Sequence, residues 1–426
     1  METRSYADAS PIAAIATPLA AGALAIVRAS GPDCLALLRS AFSRPRALDE
    51  AGSGTAVHGW ILDPLEPGKK IDEVVVLVWR PPHGYTGEEA FEIICHGAPA
   101  AALAVMGALE RAGFLPALPG EFSLRAFMNG KTDLARSEAV AELVAARTDG
   151  ARALAVERLS GRLSARVGEA RSALVAALAA IEIQLDYAED DDVPGDGLPR
   201  AGLHEALADI KSLAATWSSG RLMGEGARVA LAGRTNAGKS SLFNLFLKED
   251  RAIVSDVHGT TRDYLEAWID LGGLPVRLYD TAGLRESPDP LEREGQERSL
   301  RVVESADAVI YLVDAASGLS ADDDEFLRRP GLAEKTIRAW SRCDLSPGAA
   351  PPSFFAVSVV SGQGFRELEA ALRESLLKDP PRPDGLQIAS ARQKALLESA
   401  ADALTLCLDE DENGAPLDAI VPYVSE

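Results

Sequence analysis

The chain lacks the usual cysteine and histidine signatures of metal or redox chemistry. Its four cysteines (Cys34, Cys95, Cys343 and Cys407) are scattered and form no CxxC pair. That argues against a zinc ribbon or a disulfide framework and fits a reducing compartment. The five histidines make no HExxH spacing. Positive charge is also scarce: 43 Lys and Arg stand against 64 Asp and Glu, a net charge of −21. Such a surface exerts no global pull on nucleic acid, so an RNA partner needs a local basic patch or a second subunit. No stretch reaches the roughly 18 uninterrupted apolar residues of a membrane span, and no basic-then-apolar leader opens the chain. These absences predict a soluble, cytoplasmic protein with no membrane partner. What is present has a globular balance, 47% apolar and 25% charged over 426 residues. That length suits about two to four domains.

Three styles of sequence follow one another. Residues 1–125 carry short β-rich runs (Ala23–Val27, Val74–Trp79, Phe91–Cys95) punctuated by Gly/Pro turns, with helical segments near 33–42 and 98–112. This reads as an α+β domain. Residues 126–223 turn to Ala, Leu, Glu and Arg at helical spacing, with Ser137–Leu185 long and periodic as in a helical bundle. The acidic run Glu189–Asp192 lacks the spacing of a calcium loop and reads as a solvated helix end. Residues 224–378 alternate strands (Arg228–Ala232, Val276–Tyr279, Ala308–Val313, Thr336–Trp340, Ser353–Val357) with helices, the pattern of a mostly parallel covered sheet. A Pro-rich linker at 378–383 leads to a second helical stretch, 379–426. The α/β domain is therefore expected as an insertion within a helical domain.

The strongest motif is Gly233-Arg234-Thr235-Asn236-Ala237-Gly238-Lys239-Ser240, followed by Ser241, between an apolar strand and an apolar helix. The glycines let the backbone N–H groups face phosphates, and the helix N-terminus adds partial positive charge. Lys239 is expected on the outer phosphates and Ser240 on Mg²⁺. About 40 residues on, Asp280-Thr281-Ala282-Gly283 follows a strand. Asp280 is placed to hold the Mg²⁺ shell and Gly283 to meet the γ-phosphate. Between them, Gly259-Thr260-Thr261-Arg262-Asp263 offers Thr261 as a Mg²⁺ ligand made only when the γ-phosphate is present. Together these define a Ras-like P-loop GTPase domain.

The base-reading element, expected as N-K-x-D, is here Ser341-Arg342-Cys343-Asp344. Asp344 can accept from the N1 and N2 edge of guanine, which adenine cannot match. The Arg342 stem can cover the base. Ser341 is shorter than Asn and lacks its amide, which predicts retained specificity with weaker affinity. Ser358, in Ser358–Gly362, supplies the loop beside the base. Leu284 stands where Ras-type enzymes carry a water-orienting Gln, so hydrolysis needs another residue.

With their flanks, these residues resemble the MnmE (TrmE) family of tRNA-modification GTPases over nearly the whole chain. The resemblance rests on Ile12–Pro18, Ile26–Gly31, Gly84-Tyr85-Thr86-Gly87-Glu88-Glu89, Cys95-His96-Gly97 and, most specifically, Pro119–Ser123 through Arg125–Lys131. It implies a first domain that binds a tetrahydrofolate one-carbon donor (5-formyl or 5,10-methylene) and drives homodimerisation. Arg28, Glu88 and Lys131 match the folate-contacting positions, with cations suited to the glutamate tail and a carboxylate to the pterin edge. On pattern alone, each is an ordinary surface charge.

In the GTPase domain the resemblance implies a potassium ion in place of an arginine finger, with Asn236 as its side-chain ligand. Ser255, Val257 and Thr260 match the loop that closes over it, and Glu292 matches the water-orienting glutamate, otherwise an exposed helix residue. The family acts with an FAD-dependent partner, MnmG (GidA), in a heterotetramer. Together they modify C5 of the wobble uridine of certain tRNAs, and FAD enters only through that partner.

Three departures keep alternatives open. The base-reading motif is altered. The expected Pro-Gly-Arg-Gly after Thr17-Pro18 is Leu19-Ala20-Ala21-Gly22. The sequence stops at Glu426, short of the Cys-Ile-Gly-Lys tail of the family, which predicts a shortened second helical segment and puts modification competence in question. A regulatory GTPase switch and a GTP-binding scaffold are the rival readings.

Overall fold

The computed structural model describes residues 5, 6, 8–186, 198–248, 253, 265–281, 299–345, 350–379 and 384–425. The chain divides into two compact units, residues 1–137 and 138–426.

The first unit is built on a six-stranded sheet in the order β3-β4-β5-β2-β1-β6. Its strands are β1 (Ile12–Ile15), β2 (Leu24–Ser30), β3 (Thr55–Leu62), β4 (Lys70–Trp79), β5 (Ala90–His96) and β6 (Leu115–Pro116). All neighbours are antiparallel except β1 and β6. Alternation sets the buried face: Val74, Val76 and Val78 of β4 point inward while their neighbours are wetter. The helix Pro99–Ala112 covers that face with Ala102, Val105 and Leu109. Pro99 opens it, where its missing N–H costs nothing, and Gly113 closes it at a φ of 110°. Phe91 meets Phe114 edge-on, centroids 5.6 Å apart, and burying such a ring contributes about 1.5–3 kcal/mol.

The second unit holds the other sheet, in the order β12-β11-β10-β7-β9-β8. Its strands are β7 (Ala227–Gly233), β8 (Leu265–Leu271), β9 (Leu274–Asp280), β10 (Ala308–Asp314), β11 (Thr336–Ser341) and β12 (Phe354–Val357). Every pairing is parallel except the β8–β9 hairpin. Central strands covered on both faces read as near-continuous apolar runs, as Val229–Gly233 of β7 and Ala308–Val313 of β10 do. Val229, Leu231, Ile310 and Leu312 pack toward the helices Lys239–Lys248 and Phe365–Leu376. Ala230, Val309, Tyr311 and Val313 join the opposite layer with Leu327 of the helix Ala321–Arg328.

Helices of this unit flank the sheet in sequence. Arg162–Asp186 and Arg200–Ala214 share one core with Ala391–Glu412 and Leu417–Ser425. An α/β sheet is therefore inserted into a helical bundle. The long periodic run at 137–185 is not one helix: it is broken into Leu134–Ala145, Asp149–Leu159 and Arg162–Asp186. Thr148 makes the first break, extended at the N-cap with its Oγ1 accepting from Ala151 N at 3.2 Å. The same hydroxyl donates to the carbonyl of Gly273, in the β8–β9 turn, at 2.6 Å. A Cβ on Gly150 would lie 2.5 Å from that oxygen, so only glycine permits this approach. The Arg147 guanidinium lies 4.4 Å from the centre of the Trp268 ring on β8.

Among the described residues, no helix is long and apolar enough to cross a membrane, and no cluster of three metal-binding side chains occurs.

Candidate functional site

The phosphate loop leaves the end of β7 at Gly233, whose φ is 132°. A Cβ there would come 2.3 Å from the carbonyl of Leu312 on β10, so the strand can turn only at glycine. Asn236 follows in the left-handed region at a φ of 64°, a conformation its short amide side chain tolerates. Asn236, Ser240 and Ser241 are exposed, and Ala237 is buried beneath them. Gly238, at a φ of 93°, delivers the chain into the helix Lys239–Lys248.

Lys239 is 7% exposed. Its Nζ donates to the carbonyls of Gly233, at 3.0 Å, and Arg234, at 2.9 Å. Burial pushes the ammonium below the usual lysine range, and the nearby Asp280 carboxylate works against that shift. Phosphate oxygens would give the same ammonium stronger, charge-assisted partners.

Asp280 ends β9 in register with Leu231 of β7. It is 8% exposed, and its Oδ1 is buried with no hydrogen-bond partner among the described residues. Leaving such an acceptor unsatisfied costs about 1–3 kcal/mol. A divalent cation or its hydration shell would relieve it, so the donor set of Ser240 and Asp280 fits Mg²⁺. Thr281 anchors the next step of the chain, its Oγ1 donating to Leu231 O at 2.7 Å.

The base-reading turn lies at the neighbouring strand ends. Ser341 ends β11 in register with Asp314. Its buried Oγ lies 2.7 Å from Ala237 O in the phosphate loop and 3.2 Å from Val313 O. The side chain that looked too short in the sequence thus reaches the phosphate loop. Arg342 takes a φ of 57°, and its Nη1 lies 3.0 Å from Asp314 Oδ2. Leu345 N donates to Arg342 O at 3.0 Å and closes the turn that presents Asp344 to solvent. Cys343 N approaches Val357 O at 3.5 Å, bringing this turn beside the 358–362 loop. Ser358 is fully buried there, with Ser361 N donating to its Oγ at 3.2 Å.

A second cluster lies in the first unit. Arg28 on β2 pairs in register with Glu92 on β5, its Nη2 and Nε at 2.6 and 2.8 Å from Glu92 Oε1. Its guanidinium lies 5.5 Å from the Tyr85 ring centre and 5.9 Å from that of Phe122. Ser30, two residues on and on the same strand face, donates to Glu88 Oε2 at 2.8 Å. Lys131 lays its stem against Gly87 and donates to Pro82 O at 2.9 Å. Arg28, Glu88 and Lys131 therefore converge on the Gly84–Glu89 loop.

Behind them stands a residue that sequence reasoning did not single out. Arg125 is buried, with Nη2 donating to Ser10 O at 2.8 Å and Glu121 Oε1 at 2.9 Å. Its Nη1 reaches Glu88 Oε2 at 3.4 Å. The four-residue spacing of Glu121 and Arg125 on one helix was the available signal. Glu92 and Asp314 were also missed, and both depend on strand register. Ser255, Val257, Thr260, Thr261, Ala282, Gly283 and Glu292 lie outside the described residues.

The comparisons with known proteins bear on both clusters. A family model described as GTP-binding protein TrmE N-terminus matches residues 11–131, and one described as MnmE helical domain matches residues 134–425. The tRNA modification GTPase MnmE of Treponema denticola is 39% identical over 100% of this chain and 94% of its own length. A protein of the same name from Thermus thermophilus is 41% identical over 96% of this chain and 92% of its own. That from Moorella thermoacetica is 38% identical, covering 96% and 91%.

Proposed function

Because the chain belongs to the MnmE family of tRNA modification GTPases, we propose that it hydrolyses GTP at the cleft between Lys239 and Asp280. The reaction depends on Mg²⁺ and K⁺. With an FAD-dependent partner subunit and a tetrahydrofolate one-carbon unit, the cycle serves modification of C5 of the wobble uridine in certain tRNAs. The protein works as a homodimer in the cytoplasm.

The observation that carries this reading is the buried Asp280 Oδ1, without a hydrogen-bond partner among the described residues, on a carboxylate close enough to act on Lys239. In the proposed cycle the phosphate-loop N–H groups and Lys239 bind the phosphates. Asp280 and Ser240, with Thr261, hold Mg²⁺, which neutralises phosphate charge. Asn236, with Ser255, Val257 and Thr260, holds K⁺, which supplies further positive charge where none comes from an arginine finger. Glu292 orients the attacking water and Asp344 selects guanine. In the first unit, Arg28 and Lys131 bind the folate glutamate tail, and Glu88 accepts from the pterin edge. Their approach to one loop supports this, as does the aromatic pair Tyr85 and Phe122 beside Arg28.

The test is GTP hydrolysis in K⁺ against Na⁺ at equal ionic strength. Stimulation by K⁺ that disappears in Asn236→Ala supports the cation-assisted reaction. Hydrolysis indifferent to the cation rejects the potassium assignment. Wobble-base analysis of tRNA from cells carrying only this chain then separates a modification enzyme from a regulatory switch.

A further inference from the structure

The carboxylate of Asp314 is divided between two partners. Oδ1 accepts from Ala316 N at 3.0 Å and holds the turn that follows β10. Oδ2 lies 3.0 Å from Nη1 of Arg342. Asp314 is mostly buried at the strand end, while Arg342 is the more exposed partner, so the carboxylate is the fixed end of the pair. Arg342 also opens the hydrogen-bonded turn that carries Asp344, and Ser341 before it is held against Ala237. The start of the base-reading turn is therefore tied twice, to the phosphate loop through Ser341 and to the end of β10 through Arg342.

We infer that Asp314 is a positioning residue for guanine recognition: it pins the Arg342 guanidinium so that the turn holding Asp344 is set before nucleotide arrives. The inference rests on the reading of Arg342 and Asp344 as the borders of the base site. A long, rotamer-rich side chain held in place beforehand loses less freedom on binding. In an unpinned turn, that ordering falls on the nucleotide.

Asp314→Asn tests this directly. One oxygen remains for Ala316 N, but an NH₂ group now faces the donors of Arg342. The measurement is equilibrium binding of a fluorescent GDP with IDP as competitor, alongside GTP turnover. Exposed pairs are worth up to about 1 kcal/mol, so the Kd should rise by up to about fivefold. Preference for GDP over IDP should fall, the KM for GTP should rise more than kcat falls, and Asp314→Glu should restore part of the loss. Arg342→Ala should be no worse when combined with Asp314→Asn than alone.

Unchanged affinity and unchanged IDP discrimination in Asp314→Asn, or additive effects in the double variant, would overturn the inference. Asp344→Asn separates the two layers of the argument, because its amide donates to the C2 carbonyl of xanthine. If Asp344→Asn does not shift preference toward XDP, the base-site reading fails and the inference falls with it. If it does, and Asp314→Asn is inert, only the positioning role is wrong.

Discussion

The hydroxyl of Ser341 lies 2.7 Å from the carbonyl oxygen of Ala237, joining the base-reading turn to the phosphate loop across 104 residues of sequence. A short side chain suffices because β11 stays in register with β10 to its last residue, Ser341 opposite Asp314. Ser341→Ala should therefore weaken nucleotide binding. The lost hydrogen bond is worth about 1 kcal/mol, or roughly fivefold in Kd, and titration of a fluorescent GDP measures it.

Lys239→Ala should lower GTP turnover by about 100-fold or more, the usual effect of removing one preorganised charge-stabilising donor. The apoprotein should not unfold, because burial already disfavours the charged ammonium. Single-turnover hydrolysis and a thermal melt of the same sample check both halves.

Asp280→Ala should separate stability from activity. Deleting a buried acceptor that has no partner among the described residues removes a desolvation cost of about 1–3 kcal/mol, so the metal-free protein should melt no lower than wild type. Mg²⁺-supported hydrolysis should collapse. A loss of several degrees in the metal-free melt would mean that Oδ1 has a partner after all.

Arg125 and Arg28 should behave as opposites. Arg125→Ala removes a buried charge-assisted partner from Glu121 and strips donors from Ser10 O and Asp8 O, so the first unit should lose about 2–4 kcal/mol. Arg28→Ala breaks a half-exposed pair with Glu92 and should cost about 1 kcal/mol or less while impairing tetrahydrofolate binding. Urea denaturation and a folate titration on both variants distinguish scaffold from ligand contact.

Gly150→Ala should destabilise the second unit by about 1–3 kcal/mol, since its methyl would collide with the Gly273 carbonyl. Gly202→Ala, on an exposed helical position with open space around it, is the matched control. Chemical denaturation of the two variants side by side gives the difference.

Strands buried on both faces were legible in the sequence. The run Ala308–Val313 is nearly the whole of β10, Ala308–Asp314, because a fully covered strand has no reason to carry polar residues. Strands wetted on one face were harder: β3, which holds His58 and Gly59, and β8, which alternates with the polar residues Glu266 and Asp270, gave no continuous run. The helical stretch at 137–185 hid its breaks, because Thr148 and Gly161 interrupt backbone geometry without interrupting the apolar spacing. The 233–241 motif is local in a similar way, a run of consecutive residues that joins β7 to the helix Lys239–Lys248. Glu92, Asp314 and the distant partners of Arg125 were not legible. These pairings are set by strand register and by contacts across up to 117 residues, which no local pattern encodes.

The β8–β9 hairpin is clasped at its turn by Thr148 and Gly150, while its open ends, Leu265 and Asp280, are paired with each other. With seven residues in each strand, the ribbon is about 24 Å long. Fastened at its tip by the Thr148 cap and along β9 by β7, the ribbon forms one continuous hydrogen-bonded path from the strand ends to the helix Asp149–Leu159.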